Sequence, residues 1–164
     1  MTQLILVRHA KSDWGDPSLV DHDRPLNARG RANAPMMAER LAATGASVDR
    51  ILSSTAVRAR TTADHFGEAL GLRVEVDPEL YLASASTLLA KAAAAGSPTV
   101  LMVAHDPGIT DLAARLSDGG ITHMPTCAVA RFEWHASGER GADGWREAQT
   151  RMPDTWSLET PRGA

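Results

Sequence analysis

The chain has 164 residues, enough for one domain with a sizeable core. An apolar content of 43%, a charged content of 23% and a net charge of -3 fit an ordinary globular protein and argue against a broad nucleic-acid surface. The lone Cys127 excludes an intramolecular disulfide, and no apolar run reaches the length of a leader or a membrane span, so a soluble, cytoplasmic protein in a reducing compartment is expected.

Leu4 to Val7 is continuously apolar, as in a strand buried on both faces of a parallel sheet. Gly15 to Arg24 is rich in Asp, Pro and Gly and reads as a loop. Asn27 is placed to cap a helix running to about Ala43, with Gly45 beyond it; Pro35 should kink that helix or restart it with Asn33 as cap. Val48 to Leu52 reads as a second strand, followed by a helix from about Ala56 to Leu70 that Ser53, Ser54 or Thr55 could cap. Arg73 to Val76 reads as a third strand, and Thr87 to Ala95 as a helix capped by Ser84 or Ser86. Thr99 to Ala104 is a fourth, again apolar strand, and Gly108 to Leu116 a short helix before the turn Asp118-Gly119-Gly120. Ala128 to Trp134 alternates like a strand. Gly144 to Thr150 is expected to pair with it across a hairpin loop from Ser137 to Asp143, and the tail from Pro153 reads as irregular. Strands alternating with helices predict one α/β domain over residues 1–164, with a mostly parallel sheet and an antiparallel edge.

Three of the apolar strands end in the same kind of residue. The first runs into Arg8-His9, the second into a segment carrying Arg58 in the first turn of its helix, and the fourth into His105. Ligands of open parallel sheets bind beyond the carboxyl ends of the strands. If these strands are neighbours, Arg8, His9, Arg58 and His105 converge on one pocket. Two guanidinium forks and two imidazoles suit a phosphoryl group better than a carboxylate, and helix starts near Ser54 and Gly108 would add backbone donors. A neutral imidazole can attack phosphorus. His9, directly after a strand, is the better nucleophile, and His105 reads as a protonated clamp.

The stretches VRHA, SSTAVRARTTA and VAHDPG, each at a strand end, together resemble the histidine phosphatase (phosphoglycerate mutase-like) superfamily. RHAKSDW and DHDRPLNARG resemble more narrowly its small SixA-type branch, the phosphohistidine phosphatases. The resemblance implies a three-layer α/β/α sandwich, His9 as the phosphorylated nucleophile, and Arg8, Arg58 and His105 as the rest of the phosphate pocket. It implies no metal and no cofactor. The acid that protonates the leaving group stays open among Asp21, Asp23, Glu79 and Asp106, with Asp21 and Asp106 favoured.

The expected partner is a phosphorylated protein or a small phosphorylated substrate, not nucleic acid or membrane, and the oligomeric state is left open. Hydrolysis of protein phosphohistidine leads. The alternatives are a phosphomonoesterase of sugar or nucleoside phosphates, and a non-catalytic phosphate-recognition module. Arg60 should point to another helix face than Arg58. Arg24 and Arg29 should brace the DHDRPLNARG loop, Trp14 could form a rim, and Lys11 and Ser12 either contact substrate or solvate a loop. His22, His65, His123 and His135 lack metal-ligand spacing, Trp134, Trp145 and Trp156 should pack in the core or at an edge, and Cys127 should be an inert buried thiol.

Overall fold

Apolar runs without alternation can be hidden only where both faces of a sheet are covered. Strands β1 (Thr2–Arg8) and β4 (Thr99–Ala104) obey this rule, being buried along their whole length except at Arg8. The computed structural model describes residues 1–135 and 144–162. The other strands are β2 (Arg50–Ser53), β3 (Val74–Val76), β5 (Val129–Trp134) and β6 (Thr155–Glu159), and the sheet order is β3-β2-β4-β1-β5-β6. β3, β2, β4 and β1 pair in parallel; β5 and β6 extend the sheet antiparallel.

The odd and even residues of the central strands feed two cores. Ile5, Val7, Leu101 and Val103 pack with Met37 and Leu41 of α1 (Ala28–Ala43) and with Ala63 and Phe66 of α2 (Val57–Leu70). Leu4, Leu6, Val100 and Met102 face the opposite layer: α3 (Ala85–Ala95), α4 (Gly108–Leu116) and α5 (Gly144–Thr150). The result is the expected three-layer α/β/α sandwich. No helix among the described residues is long and apolar enough to cross a membrane.

Several local expectations hold. Asn27 caps α1 by accepting from the Gly30 amide at 2.9 Å, and Ser84 caps α3 by accepting from the Thr87 amide at 3.2 Å. Others are corrected. α1 runs unbroken through Pro35, held by Ala34, Met37, Ala38 and Leu41 buried against the sheet and α2. The start of α2 has no side-chain cap at Ala56 itself, although the Ser54 hydroxyl, one of the three expected caps, accepts from the Ala56 amide at 3.2 Å. Residues 144–150 are a helix and not a strand, because Trp145 and Ala148, three apart, share the buried face while Glu147 pairs with Arg151 at 2.9 Å. The partner of β5 is instead β6, in the tail expected to be irregular. The expected hairpin loop Ser137 to Asp143 lies outside the described residues.

Register carries the fold to the site. Arg8 of β1 pairs with Ala104 of β4, and Ser53 of β2 pairs with Val103, so all three strands end at one level. A Cβ on Gly108 would sit 1.9 Å from the Ala83 carbonyl oxygen, which shows how tightly the start of α4 abuts the turn after Tyr81. Gly108→Ala should therefore lower stability by about 1–3 kcal/mol, measured by denaturant unfolding, because backbone must move to admit one methyl.

Candidate active site

The backbone after β1 is clamped from both sides. The His9 amide donates to the Ala104 carbonyl at 3.1 Å, and the Cys127 amide donates to the carbonyls of Arg8 (3.0 Å) and His9 (3.1 Å). Thr62 on α2 accepts from the Ala10 amide at 3.0 Å while its own hydroxyl donates to the Arg58 carbonyl at 2.8 Å. One threonine thus ties the His9 loop to the helical turn that carries Arg58.

His9 is buried, and its Nδ1 lies 2.8 Å from the Ala10 carbonyl oxygen. A carbonyl can only accept, so the proton resides on Nδ1 and Nε2 carries the lone pair. Nε2 faces the Nε–H of Arg58 at 3.4 Å. Burial first, then the charges of Arg58 and Arg8, push the His9 ring down to about 4, against the opposing hydrogen bond to Ala10. The ring is a neutral imidazole at physiological pH.

His105 stands beside it, ring centroids 5.0 Å apart. Its Nε2 is 2.7 Å from the Ser54 hydroxyl, and its buried Nδ1 has no partner. Burial, then His9 and Arg58, push this ring down to about 3. The expected protonated clamp is therefore not found in the free protein: an imidazolium would leave a buried Nδ1–H without an acceptor next to two guanidinium ions.

Arg58 is 6% exposed in its side chain and heavily committed. It donates to the Asp21 backbone carbonyl at 2.7 Å and to the Asp21 carboxylate at 2.8 Å. The same carboxylate oxygen accepts from the Tyr81 hydroxyl at 2.5 Å. Burial works to raise the Asp21 carboxyl, but the bonds from Tyr81 and Arg58 and the Arg58 charge outweigh it and hold the group below the usual carboxylate range. Tyr81, raised by burial and by Asp21, keeps its proton.

Arg8 is more open, 20% exposed; it donates to the Met124 carbonyl at 2.9 Å and lies 3.4 Å from Asp106. Asp106 also accepts from Thr110 at 2.5 Å.

The four residues expected to converge do so. Asp21 and Asp106 both line the cluster, each against one arginine. Glu79 is drawn away by Lys91 at 3.0 Å, and Asp23 lies 3.2 Å from His22. Arg24 stacks over Trp14 at 3.7 Å. Arg60 and Lys11 are exposed, and Ser12 is buried where it bridges to Leu26. Burial pushes the Cys127 thiol up to about 12, as suits an inert position. Tyr81, Ser54 and Thr62 were not singled out by sequence as site side chains. Tyr81 lies five residues beyond the end of β3, after the turn Pro78–Leu80, so it lacks the strand-end position that marks His9 and His105.

The pattern of the histidine phosphatase superfamily (branch 1) matches residues 4–81. The phosphohistidine phosphatase SixA of Escherichia coli K12 is 30% identical over 154 residues, 88% of this chain and 92% of that one. A SixA-type structure from Agrobacterium tumefaciens aligns with a TM-score of 0.73 at 31% identity, covering 80% of this chain and 91% of that one. The protein histidine phosphatase SixA in complex with tungstate aligns at 0.72 and 29%, covering 84% and 92%.

Two measurements check the electrostatics. Nitrogen NMR should find His9 as the neutral Nδ1–H tautomer at pH 5.5, where a free histidine is largely protonated. The unfolded chain binds protons near 6.5, while the folded rings do so near 4 and 3. Their contribution to stability is therefore full above pH 6.5 and is lost as the pH falls through about 4 and then about 3, which urea midpoints should follow.

Proposed function

The chain belongs to the histidine phosphatase superfamily and is a phosphatase, and from that premise we propose that it hydrolyses phosphohistidine on a protein through a covalent intermediate on His9 Nε2. The observation that carries this reading is the Nδ1 contact to the Ala10 carbonyl, which leaves Nε2 unprotonated between Arg58 and His105. In the first step the Nε2 lone pair forms a bond to phosphorus as the bond to the substrate's imidazole nitrogen breaks, and that nitrogen takes up a proton. Arg8, Arg58 and His105 hold the equatorial oxygens. In the second step water attacks the phosphohistidine, releasing phosphate and restoring the neutral ring.

The protein substrate is supported by the accessibility of Arg8, 20% exposed in its side chain, and by connections of only three residues between β2 and α2 and between β4 and α4. It is also supported by the names of the SixA relatives. The single cysteine, inert and buried, suits a reducing cytoplasm.

The two favoured carboxylates take different roles. Asp21, ionised and held by Tyr81 and Arg58, positions Arg58. Asp106, beside His105 and 3.4 Å from Arg8, exchanges protons with the leaving group and the attacking water.

His9→Ala should abolish turnover of a phosphohistidine protein and the acid-labile phosphoenzyme trapped from the native protein. Unchanged turnover would refute the reading, and selective hydrolysis of a sugar or nucleoside phosphate would favour the esterase alternative. Asp106→Asn should slow an alkyl phosphate, whose leaving oxygen needs a proton, by roughly 10²-fold or more, and phosphohistidine far less. Asp21→Asn should instead raise KM for both substrates alike, since it loosens an anion-binding arginine.

A further inference from the structure

Three of the large apolar side chains left in solvent gather around one site residue. Trp14 is 64% exposed, Val20 62% and Leu82 55%. Val20 precedes Asp21 in the chain. Leu82 follows Tyr81, whose hydroxyl donates to Asp21. Trp14 carries the Arg24 guanidinium on its ring, and Arg24 Nε lies 4.0 Å from the Asp21 carboxylate. Each is therefore carried by a residue next to Asp21 or to one of its partners, or is stacked on such a partner. Isolated exposed apolar residues need no explanation, but a group at the edge of a binding pocket does.

Leu82 adds an independent sign. Its φ is +52°, in the left-handed region that a leucine enters at a cost of roughly 1–2 kcal/mol. The free protein recovers little of that cost by burial, because more than half of the residue stays in solvent. Strain of this kind persists where the surroundings enforce it, and it gathers at functional sites. Trp14 is ordered in advance in another way: the stacked cation fixes its ring, so little side-chain entropy remains to be lost on binding.

We propose that Trp14, Val20 and Leu82 form a docking rim for apolar side chains that flank the phosphohistidine of a protein substrate. The proposal rests on the phosphohistidine reading above and names what such a substrate must carry. The rim is continuous with the anion pocket through Asp21 and Tyr81, so a phosphoryl group held by Arg8 and Arg58 brings its neighbours in the chain against these three side chains. Hydroxyl-rich sugar phosphates would desolvate against the rim without compensation. A leucine or isoleucine beside the phosphohistidine would gain from burial.

The test uses two synthetic peptides with one central phosphohistidine, flanked by leucines in one and by serines in the other, with free phosphohistidine as the small control. The native enzyme should show kcat/KM at least about tenfold higher for the leucine peptide, the effect of burying one such side chain. Trp14→Ser, Val20→Ser and Leu82→Asn should each reduce that preference, and together abolish it, while free phosphohistidine turns over within about twofold of the native rate. Asparagine tolerates the positive φ, so Leu82→Asn removes the apolar group and keeps the turn. Trp14→Phe and Leu82→Met should retain the preference, which separates docking from damage to the fold. Equal rates on both peptides, or a preference that survives the triple variant, would overturn the rim while leaving phosphohistidine hydrolysis intact. No turnover of any of the three substrates would overturn the functional reading, and the rim with it.

Discussion

The 2.8 Å contact between His9 Nδ1 and the Ala10 carbonyl oxygen is the constraint on which the site turns. It fixes the tautomer, and the tautomer decides that Nε2 faces Arg58 with a lone pair. The contact exists only because the backbone around His9 cannot relax. β4 and the Cys127 amide hold it on two sides, and Thr62 anchors the next residue to α2. Register does the rest. Three strands that end at one level bring His9, His105 and the turn of Arg58 together without any long loop having to place them.

Two buried or half-buried arginines and two imidazoles would repel one another if all were charged. The free protein avoids this in two ways. Both rings stay neutral, since burial and the neighbouring guanidinium groups penalise a further positive charge. Arg58, the more buried arginine, is matched by the Asp21 carboxylate, which Tyr81 in turn holds. The pocket is thus moderately cationic before an anion arrives, and its donors are already aimed.

Much of this arrangement is legible in the sequence because it depends on local pattern. β1 and β4 read as buried strands from unbroken apolar runs, and the polar residues at their ends are the site residues. Asn27 and Ser84 read as caps and act as caps. The readings that failed concern the side of the sheet where burial is thin. β6 is an edge strand, with exposed residues at four of its five positions, so it carries no apolar run to recognise. α5 has seven residues, too few for a helical period to stand out, and its identity rests on the helix packing against α3, β1 and β5 with Trp145 and Ala148 buried. Ser54 reads as a cap for α2, and its hydroxyl does accept from the Ala56 amide at 3.2 Å, but it also lies 2.7 Å from His105 Nε2, a second partner that only the register of β2 against β4 brings within reach. Tyr81 was hidden for a similar reason: its partner, Asp21, is 60 residues away.

The two arginines differ in a way that bears on how a phosphoryl group would enter. Arg58 has three donor contacts to protein acceptors, one of them the His9 nitrogen proposed to attack. Arg8 is held by a carbonyl and by a looser carboxylate, and it is three times as exposed in its side chain, 20% against 6%. An incoming dianion can therefore meet Arg8 first, with little to break. Engaging Arg58 requires its Nε–H to pass from His9 Nε2 to a phosphoryl oxygen. That exchange frees the lone pair at the moment the phosphorus comes within reach, so under the proposed mechanism substrate binding itself uncovers the nucleophile. In the free enzyme the same hydrogen bond occupies the reactive nitrogen and keeps the ring aligned.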